Sequence, residues 1–250
     1  MSPSIDLNCD LGEGAGHDAE LMPLVTSANI ACGAHAGDAA TMRATVRLAR
    51  RHGVAIGAHP GFADRGHFGR RELALSAREL ADLVRGQVEA LRAIAEEEGA
   101  AVTYVKPHGA LYNLAARDAA VADILAEAVA GVDARLWLYG LAGGRLLEKG
   151  RERGLCVASE VFADRTYQTD GTLTPRARPD ALIATPADAA ARVLRMIREG
   201  RVRSTDGEDV SVTADTVCVH GDGGEAVAFA RELGAVLRRE GVAVRPLARA

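Results

Sequence analysis

Long apolar runs are missing from this chain of 250 residues. None approaches the roughly 20 residues that a membrane helix requires, and the first residues have neither the basic nor the apolar region of a signal peptide. Both absences predict a cytoplasmic protein without a membrane partner. Cysteine is scarce and scattered: Cys9, Cys32, Cys156 and Cys218 form no Cys-x-x-Cys pair, which argues against a disulfide framework or a zinc knuckle and leaves them as small core residues. Positive charge is not gathered into a stripe, and a formal charge of -4 with a pI near 6.0 gives a polyanion no footprint, so no nucleic acid is expected as partner. The phosphate loop G-x-x-x-x-G-K-[ST] does not occur, and the glycine cluster at 140–144 more simply starts a helix. There is no obvious serine nucleophile motif either.

What the chain does hold is an alternation. With 48% hydrophobic residues it can bury a large core, and its length suits one α/β barrel or two small domains; a single domain over residues 1–250 is expected. Short apolar segments alternate with longer segments of helical period, the order of parallel strands joined by helical crossovers. The best-marked helix is "SARELADLVRGQVEALRAIAEEEG", in which Ser76 and Glu79 make a capping box and Leu80, Leu83, Val84, Val88, Leu91 and Ile94 form one stripe. Thr185-Pro186 opens another. Helices are predicted near 38–52, 118–130, 143–153, 186–199 and 223–240, and Gly53, Gly99, Gly131, Gly154, Gly200 and Gly241 each follow a helical run as its closing residue. Strands are predicted near 5–10, 27–32, 55–59, 103–108, 136–140, 157–162 and 216–222, with an eighth candidate at Val244–Leu247. Asp206-Gly207, between two valine-bearing arms, predicts a β-hairpin inserted before the seventh strand.

This order suits a closed barrel or an open doubly wound sheet, and the polar residues decide between them. By the period-two rule Asp6, Asn8 and Asp10 share a face, as do Lys106 and His108, and as do His220 and Asp222. Strand three ends in His59, strand six carries Glu160, and His35 lies just past strand two. His35, His59, His67, His108 and His220 all stand at strand ends or in the loops that follow. In a barrel such groups meet at one mouth, whereas an open sheet scatters them. Ionisable groups that converge in this way point to a reaction site.

The loops agree. About two dozen residues separate strand six from the helix at Pro186, and the run after strand three is also long, a pattern of lids and substrate contacts. Arg70, Arg71 and Arg165 are placed there to meet an anion. Carboxylates, histidines and one lysine suggest water activated by a general base or by a divalent metal, for which Asp10, His35 and His59 are the candidate ligands. Lys106 offers a compact charge for a carboxylate or phosphate.

The segments "DLNCDLGEG", "ANIACGAHAGD", "GVAIGAHPGF", "VKPHGALYN", "VASEVFADRTY" and "DTVCVHGD" resemble the LamB/YcsF family, in order from near residue 4 to beyond residue 240. The resemblance implies a distorted seven-stranded parallel β/α (TIM-like) barrel of the glycoside hydrolase and deacetylase type. It also implies a reaction: ATP-dependent 5-oxoprolinase activity, opening the lactam of 5-oxo-L-proline to L-glutamate together with separate subunits B and C. ATP use would then belong to the complex. The residues that match family motifs are Asn8, Asp10, Glu13, His35, His59, Lys106, His108, Glu160, Asp164, Arg165, His220 and Asp222. Their expected roles are water activation by Asp10, His59 or His220, anion binding by Lys106 and Arg165, and protonation of the leaving nitrogen by His108. Ala34, where many members carry a bulky aromatic residue, and Gly223-Gly224 depart from the pattern. Two rival readings are a free-standing metal-dependent hydrolase or deacetylase of a small amide or carbohydrate, and a chain that only binds or scaffolds.

Overall fold

A computed structural model describes residues 3–221 and 225–247. Its strands are β1 (Ser4–Leu11), β2 (Ser27–Ala31), β3 (Ala55–His59), β4 (Val102–Val105), β5 (Trp137–Leu141), β6 (Cys156–Phe162), the short pair β7 (Arg201–Arg203) and β8 (Asp209–Ser211), then β9 (Thr216–Val219) and β10 (Ala243–Val244). Seven of them, β1 to β6 and β9, run parallel and close on themselves. Closure comes from β9, which pairs with β6 through Glu160↔Thr216 and with β1 through Asp6↔Thr216 to Cys9↔Val219. This is the barrel that the polar pattern favours over an open sheet. The inserted hairpin of β7 with β8 is antiparallel, as predicted. The eighth candidate strand is only β10, paired with Ser4 and Ile5 at the start of β1 and not a barrel stave.

Alternation along the strands sorts the core into two parts. Outward-facing Ile5, Leu7, Cys9 and Leu11 are buried with Ile30, Val46, Val88 and Leu91 between barrel and helices. At about 25 cal/mol per Å² of apolar surface this shell is the main source of stability. Inside the barrel, Tyr104 and Tyr139 stack with ring centroids 4.1 Å apart and, with Ala158, form a separate apolar cluster. Tyr104 can cross the interior because residue 57 is glycine: a Cβ there would lie 2.1 Å from its Cε2.

The helices are α1 (Asp18–Leu21), α2 (Ala39–His52), α3 (Ala77–Glu97), α4 (Gly109–Arg117), α5 (Ala119–Val132), α6 (Arg145–Glu152), α7 (Pro186–Glu199) and α8 (Ala226–Arg239). Their starts follow local chemistry. Asp38, Asp118 and Thr185 accept hydrogen bonds from first-turn amides, and Ser76 with Glu79 forms the reciprocal box. Gly53, Gly99, Gly154, Gly200 and Gly241 take positive φ at or just past helix ends, but Gly131 lies inside α5, which runs on to Val132.

Two boundaries differ from expectation in ways that shape the site. β4 ends at Val105, so Lys106 and His108 leave the strand and His108 becomes the residue before α4. Helix α4 is hidden in the sequence by Pro107 and Gly109. It starts at Gly109 with φ +53, where a Cβ would meet the Gly69 carbonyl oxygen at 2.7 Å. Strand seven ends at Val219 instead of reaching 222. The predicted site residue Asp222 and the pair Gly223-Gly224 lie outside the described residues.

Candidate active site

The C-terminal ends of the strands open into a cavity of about 560 Å³ whose lining includes Asp10, Glu13, His59, Lys106, His108, Arg165 and His220. Period two carries Asp6, Asn8 and Asp10 from the middle of the barrel to this mouth. The carboxylate of Asp6 accepts from Ser27 Oγ at 2.6 Å, Thr216 Oγ1 at 2.7 Å, Thr26 Oγ1 at 2.7 Å and Tyr139 OH at 3.2 Å. Burial nonetheless pushes its pKa up, against those four donors. Above it, Asn8 Nδ2 donates to Glu160 Oε1 at 2.9 Å and to Thr216 Oγ1 at 2.7 Å. Asn29 Nδ2 bridges Asn8 Oδ1 and Asp10 Oδ1, both at 2.7 Å. A barrel interior this polar is stable because its groups largely satisfy one another, Glu160 Oε2 being left without a hydrogen-bond partner.

Lys106 crowns that network. Its Nζ lies 3.0 Å from Asp10 Oδ1, 2.9 Å from Glu160 Oε1 and 3.0 Å from Cys218 Sγ. Burial alone lowers an ammonium pKa, but Asp10, Cys218 and Glu160 outweigh it and raise that of Lys106 well above the usual value. Burial likewise acts to raise Asp10, and Lys106 with His59 holds it well below the usual carboxylate range. Lys106 is therefore committed to two carboxylates.

Beside this pair stands a cluster of imidazoles. His59 Nδ1 faces the Lys106 carbonyl oxygen at 2.7 Å and His108 Nε2 faces the Phe68 carbonyl oxygen at 2.8 Å. His108 Nδ1 and His59 Nε2 are 3.0 Å apart. Glu13 Oε1 lies 3.2 Å from His35 Nε2, 3.3 Å from His108 Nδ1 and 3.9 Å from His59 Nε2. Burial, with His59 next, lowers His35 to about 3, and burial with His59 and His35 lowers His108 well below the usual imidazole value. His59 alone is raised, because Asp10 outweighs its burial. Glu13, His35, His59 and His108 bring one ligand atom each within 4.8 Å of the others, and so do Asp10, Cys218 and His220. Of the metal set expected from sequence, Asp10 with His35 and His59, Asp10 Oδ1 stays 3.5 Å from His59 Nε2 but pairs more closely with Lys106, and Glu13 and His108 join the two histidines.

Across the cavity, His220 Nδ1 donates to Asp164 Oδ2 at 2.8 Å and its ring stacks on Phe162 with centroids 5.4 Å apart. That donation fixes the tautomer and leaves Nε2 as the basic nitrogen. Asp164 is buried, which raises a carboxyl pKa, yet the His220 ring more than compensates and lowers it. Arg165, 4% exposed, donates through Nη2 to the Thr174 carbonyl oxygen at 2.5 Å, while its Nε has no partner. Burial, with Arg176 next, brings its pKa down to about 10.

Asn8, Asp10, Glu13, His35, His59, Lys106, His108, Glu160, Asp164, Arg165 and His220 therefore come together in the barrel interior and at its mouth. His67 and Arg71 do not: both pair with Asp64 on the loop after β3. Arg70 does line the cavity, over the Phe68 ring at 5.0 Å. Arg176, Tyr112 and Phe162 line the cavity without a signal in the sequence, and Cys218 is buried in the core as expected while its Sγ also meets Lys106 Nζ.

Comparison with known proteins places these residues in context. The pattern described as the LamB/YcsF family matches residues 5–250. The 5-oxoprolinase A subunit of Geobacillus kaustophilus (strain HTA426) is 56% identical over 245 residues, 96% of each chain. The lactam utilization protein from Thermus thermophilus superposes with a TM-score of 0.91 at 46% identity, over 98% of this chain and 100% of that one. A polysaccharide deacetylase from Bacillus cereus, 13% identical, shares the fold alone, with a TM-score of 0.51 over 100% of this chain and 93% of that one.

Proposed function

The chain belongs to the LamB/YcsF family, and from that premise we propose that it is one component, the A subunit, of an ATP-dependent 5-oxoprolinase, a cytoplasmic enzyme that opens the lactam of 5-oxo-L-proline to L-glutamate. The observation that carries this reading is near-complete coverage at 56% identity by a relative named as the 5-oxoprolinase A subunit. Among the described residues no helix is long and apolar enough to cross a membrane. The word subunit in the relative's name supports an assembly, and we assign subunits B and C to it. With no phosphate loop in this chain, ATP is used by the complex.

The pocket supports the chemistry as follows. A five-membered lactam is a resonance-stabilised amide whose opening competes with its own recyclisation, so coupling to ATP is required to drive it. Phosphoryl transfer to the lactam oxygen makes the ring carbon electrophilic. Arg165, which lines the cavity and has no carboxylate hydrogen-bonded to it among the described residues, takes the substrate's anionic group. His220, oriented by Asp164, accepts a proton from water as the oxygen adds to the carbon. The carbon–nitrogen electron pair passes to nitrogen as the bond breaks, which leaves a γ-glutamyl phosphate, and a second water adding to that acyl carbon releases phosphate and gives glutamate. His108 is poorly placed to protonate that nitrogen, because the proton on its Nε2 is spent on the Phe68 carbonyl. The imidazolium of His220 is the better donor.

A second reading, a metal-dependent hydrolase acting alone on a small amide or carbohydrate, is favoured by one observation, the Glu13–His35–His59–His108 group. The deciding experiment is co-expression with candidate partner subunits, with glutamate measured from 5-oxoproline in the presence and absence of ATP. The first reading expects glutamate only from the assembly with ATP. No glutamate under any combination would remove 5-oxoproline as substrate, and hydrolysis by the isolated chain that chelator abolishes would favour the second.

A further inference from the structure

We propose that Glu13 Oε1, His59 Nε2 and His108 Nδ1 form a three-ligand site for a divalent metal of the zinc class, with a fourth position open to the cavity and His35 orienting Glu13. Two ring protons fix which nitrogens are free to ligate. A carbonyl oxygen can only accept, so the ring nitrogens facing the Lys106 and Phe68 carbonyls, His59 Nδ1 and His108 Nε2, carry the hydrogens. In neutral rings the remaining nitrogens then present lone pairs, and these are the two atoms that face each other at 3.0 Å. Two lone pairs held head-on in a buried site require a positive charge between or beside them.

Either a proton or a metal ion supplies that charge, and Glu13 separates the two. A proton on His59 Nε2, which Asp10 Oδ1 at 3.5 Å also attracts, points along one line and leaves Glu13 Oε1 facing the lone pair of His108 Nδ1 at 3.3 Å. A metal at about 2.0–2.2 Å from each of three ligands in tetrahedral array spaces them about 3.3–3.6 Å apart. The three edges here are 3.0, 3.3 and 3.9 Å. The rings of His59 and His108 stand at 86° to each other, and Glu13 Oε1 lies within reach of both facing nitrogens. His35 is different: it stacks on His108 at 3.8 Å with planes 2° apart, so its lone pair runs alongside that of His108 and does not meet it. Its Nε2, 3.2 Å from Glu13 Oε1, serves instead as a donor that orients the carboxylate, as outer-shell partners of metal sites do.

The surroundings are built to hold this arrangement. A Cβ at Gly69 would lie 2.8 Å from His35 Cβ and 3.0 Å from His108 Cδ2, and one at Gly61 would lie 2.8 Å from His35 Nδ1. Gln87 of α3 clamps Gly61 through its amide N–H at 3.1 Å and its carbonyl at 2.9 Å. When bound, a cation of this class polarises a carbonyl oxygen or lowers the pKa of a water. That role rests on the hydrolytic reading of the pocket, whereas the ligand set does not.

The test uses the full chain, stripped with chelator, dialysed, and titrated with Zn²⁺ by calorimetry and with Co²⁺ by visible absorption. One equivalent of each should bind, with Co²⁺ giving the intense visible bands of a low-coordinate site. His59→Ala and His108→Ala should abolish uptake. Glu13→Gln, nearly isosteric and so safe for folding, should weaken it, and His35→Gln should weaken it by about tenfold. His52→Ala, on an exposed helix end, should change nothing. The site is overturned if the wild-type chain takes up neither metal, or if Glu13→Gln and His108→Ala bind as tightly as wild type. Metal uptake without glutamate from the assembled subunits would leave the site standing and remove the substrate reading.

Discussion

Asp10 and Lys106, 96 residues apart in sequence, meet inside the barrel with Oδ1 and Nζ 3.0 Å apart and both side chains almost fully buried. Two carboxylates, Asp10 and Glu160, share that one ammonium. Desolvating a charge is costly, so each member depends on the others being present.

Lys106→Met should therefore destabilise the protein by about 3–5 kcal/mol, because it leaves two buried carboxylates facing each other. Urea denaturation of Lys106→Met and of the double variant with Asp10→Asn checks this. The second change should restore part of the loss. Equal or additive losses would mean that the three groups do not act as a unit.

Acid should destabilise the metal-free chain earlier than carboxylate titration alone explains. Burial holds His35 neutral down to about 3, whereas in the unfolded chain it titrates near 6.5. Between those limits the unfolded state binds the extra proton. Stability is thus full above about pH 6.5 and falls as pH drops, by about 1.4 kcal/mol per pH unit for each such group. Asp10, lowered by Lys106 and His59, adds its own loss only below the ordinary carboxylate range. Urea midpoints at pH 7, 6 and 5 with chelator present should decline, and less steeply in His35→Gln. Constant midpoints would contradict the buried neutral ring.

Arg165→Met should raise KM for an anionic substrate by about 10–100-fold, the range expected when a charge-assisted hydrogen bond of about 1.5–3 kcal/mol is lost. Steady-state kinetics of the assembled enzyme measures it. An unchanged KM would assign the anion to another residue.

Gly57→Ala should cost about 1–3 kcal/mol or more, since its methyl group would overlap the Tyr104 ring. Thermal unfolding reads this directly. If Tyr104→Ala in the Gly57→Ala background fails to relieve the strain, the overlap is not its cause.

Much of the site was legible in the sequence because period two is rigid. Once Ile5, Leu7 and Cys9 face the helices, Asp6, Asn8 and Asp10 have to face the barrel interior. The same rule turned Glu160 into the barrel interior, where it meets Lys106. It failed at Lys106-Pro107-His108, where the strand stops at Val105 and the residues continue as an irregular bridge into α4. Helix α4 escaped notice because Pro107 and Gly109 are ordinarily loop signals.

The chain's own pattern determined the barrel, the helix starts and the end of the barrel at which ionisable groups gather, because each depends on spacing within a single element. Only the folded structure decided who partners whom: Lys106 with Asp10 and Glu160, His220 with Asp164, and Glu13 with three histidines. Those pairings depend on barrel closure, which sets the distance between strands remote in sequence. They depend equally on which ring nitrogen a backbone carbonyl claims, and no spacing along the chain encodes that.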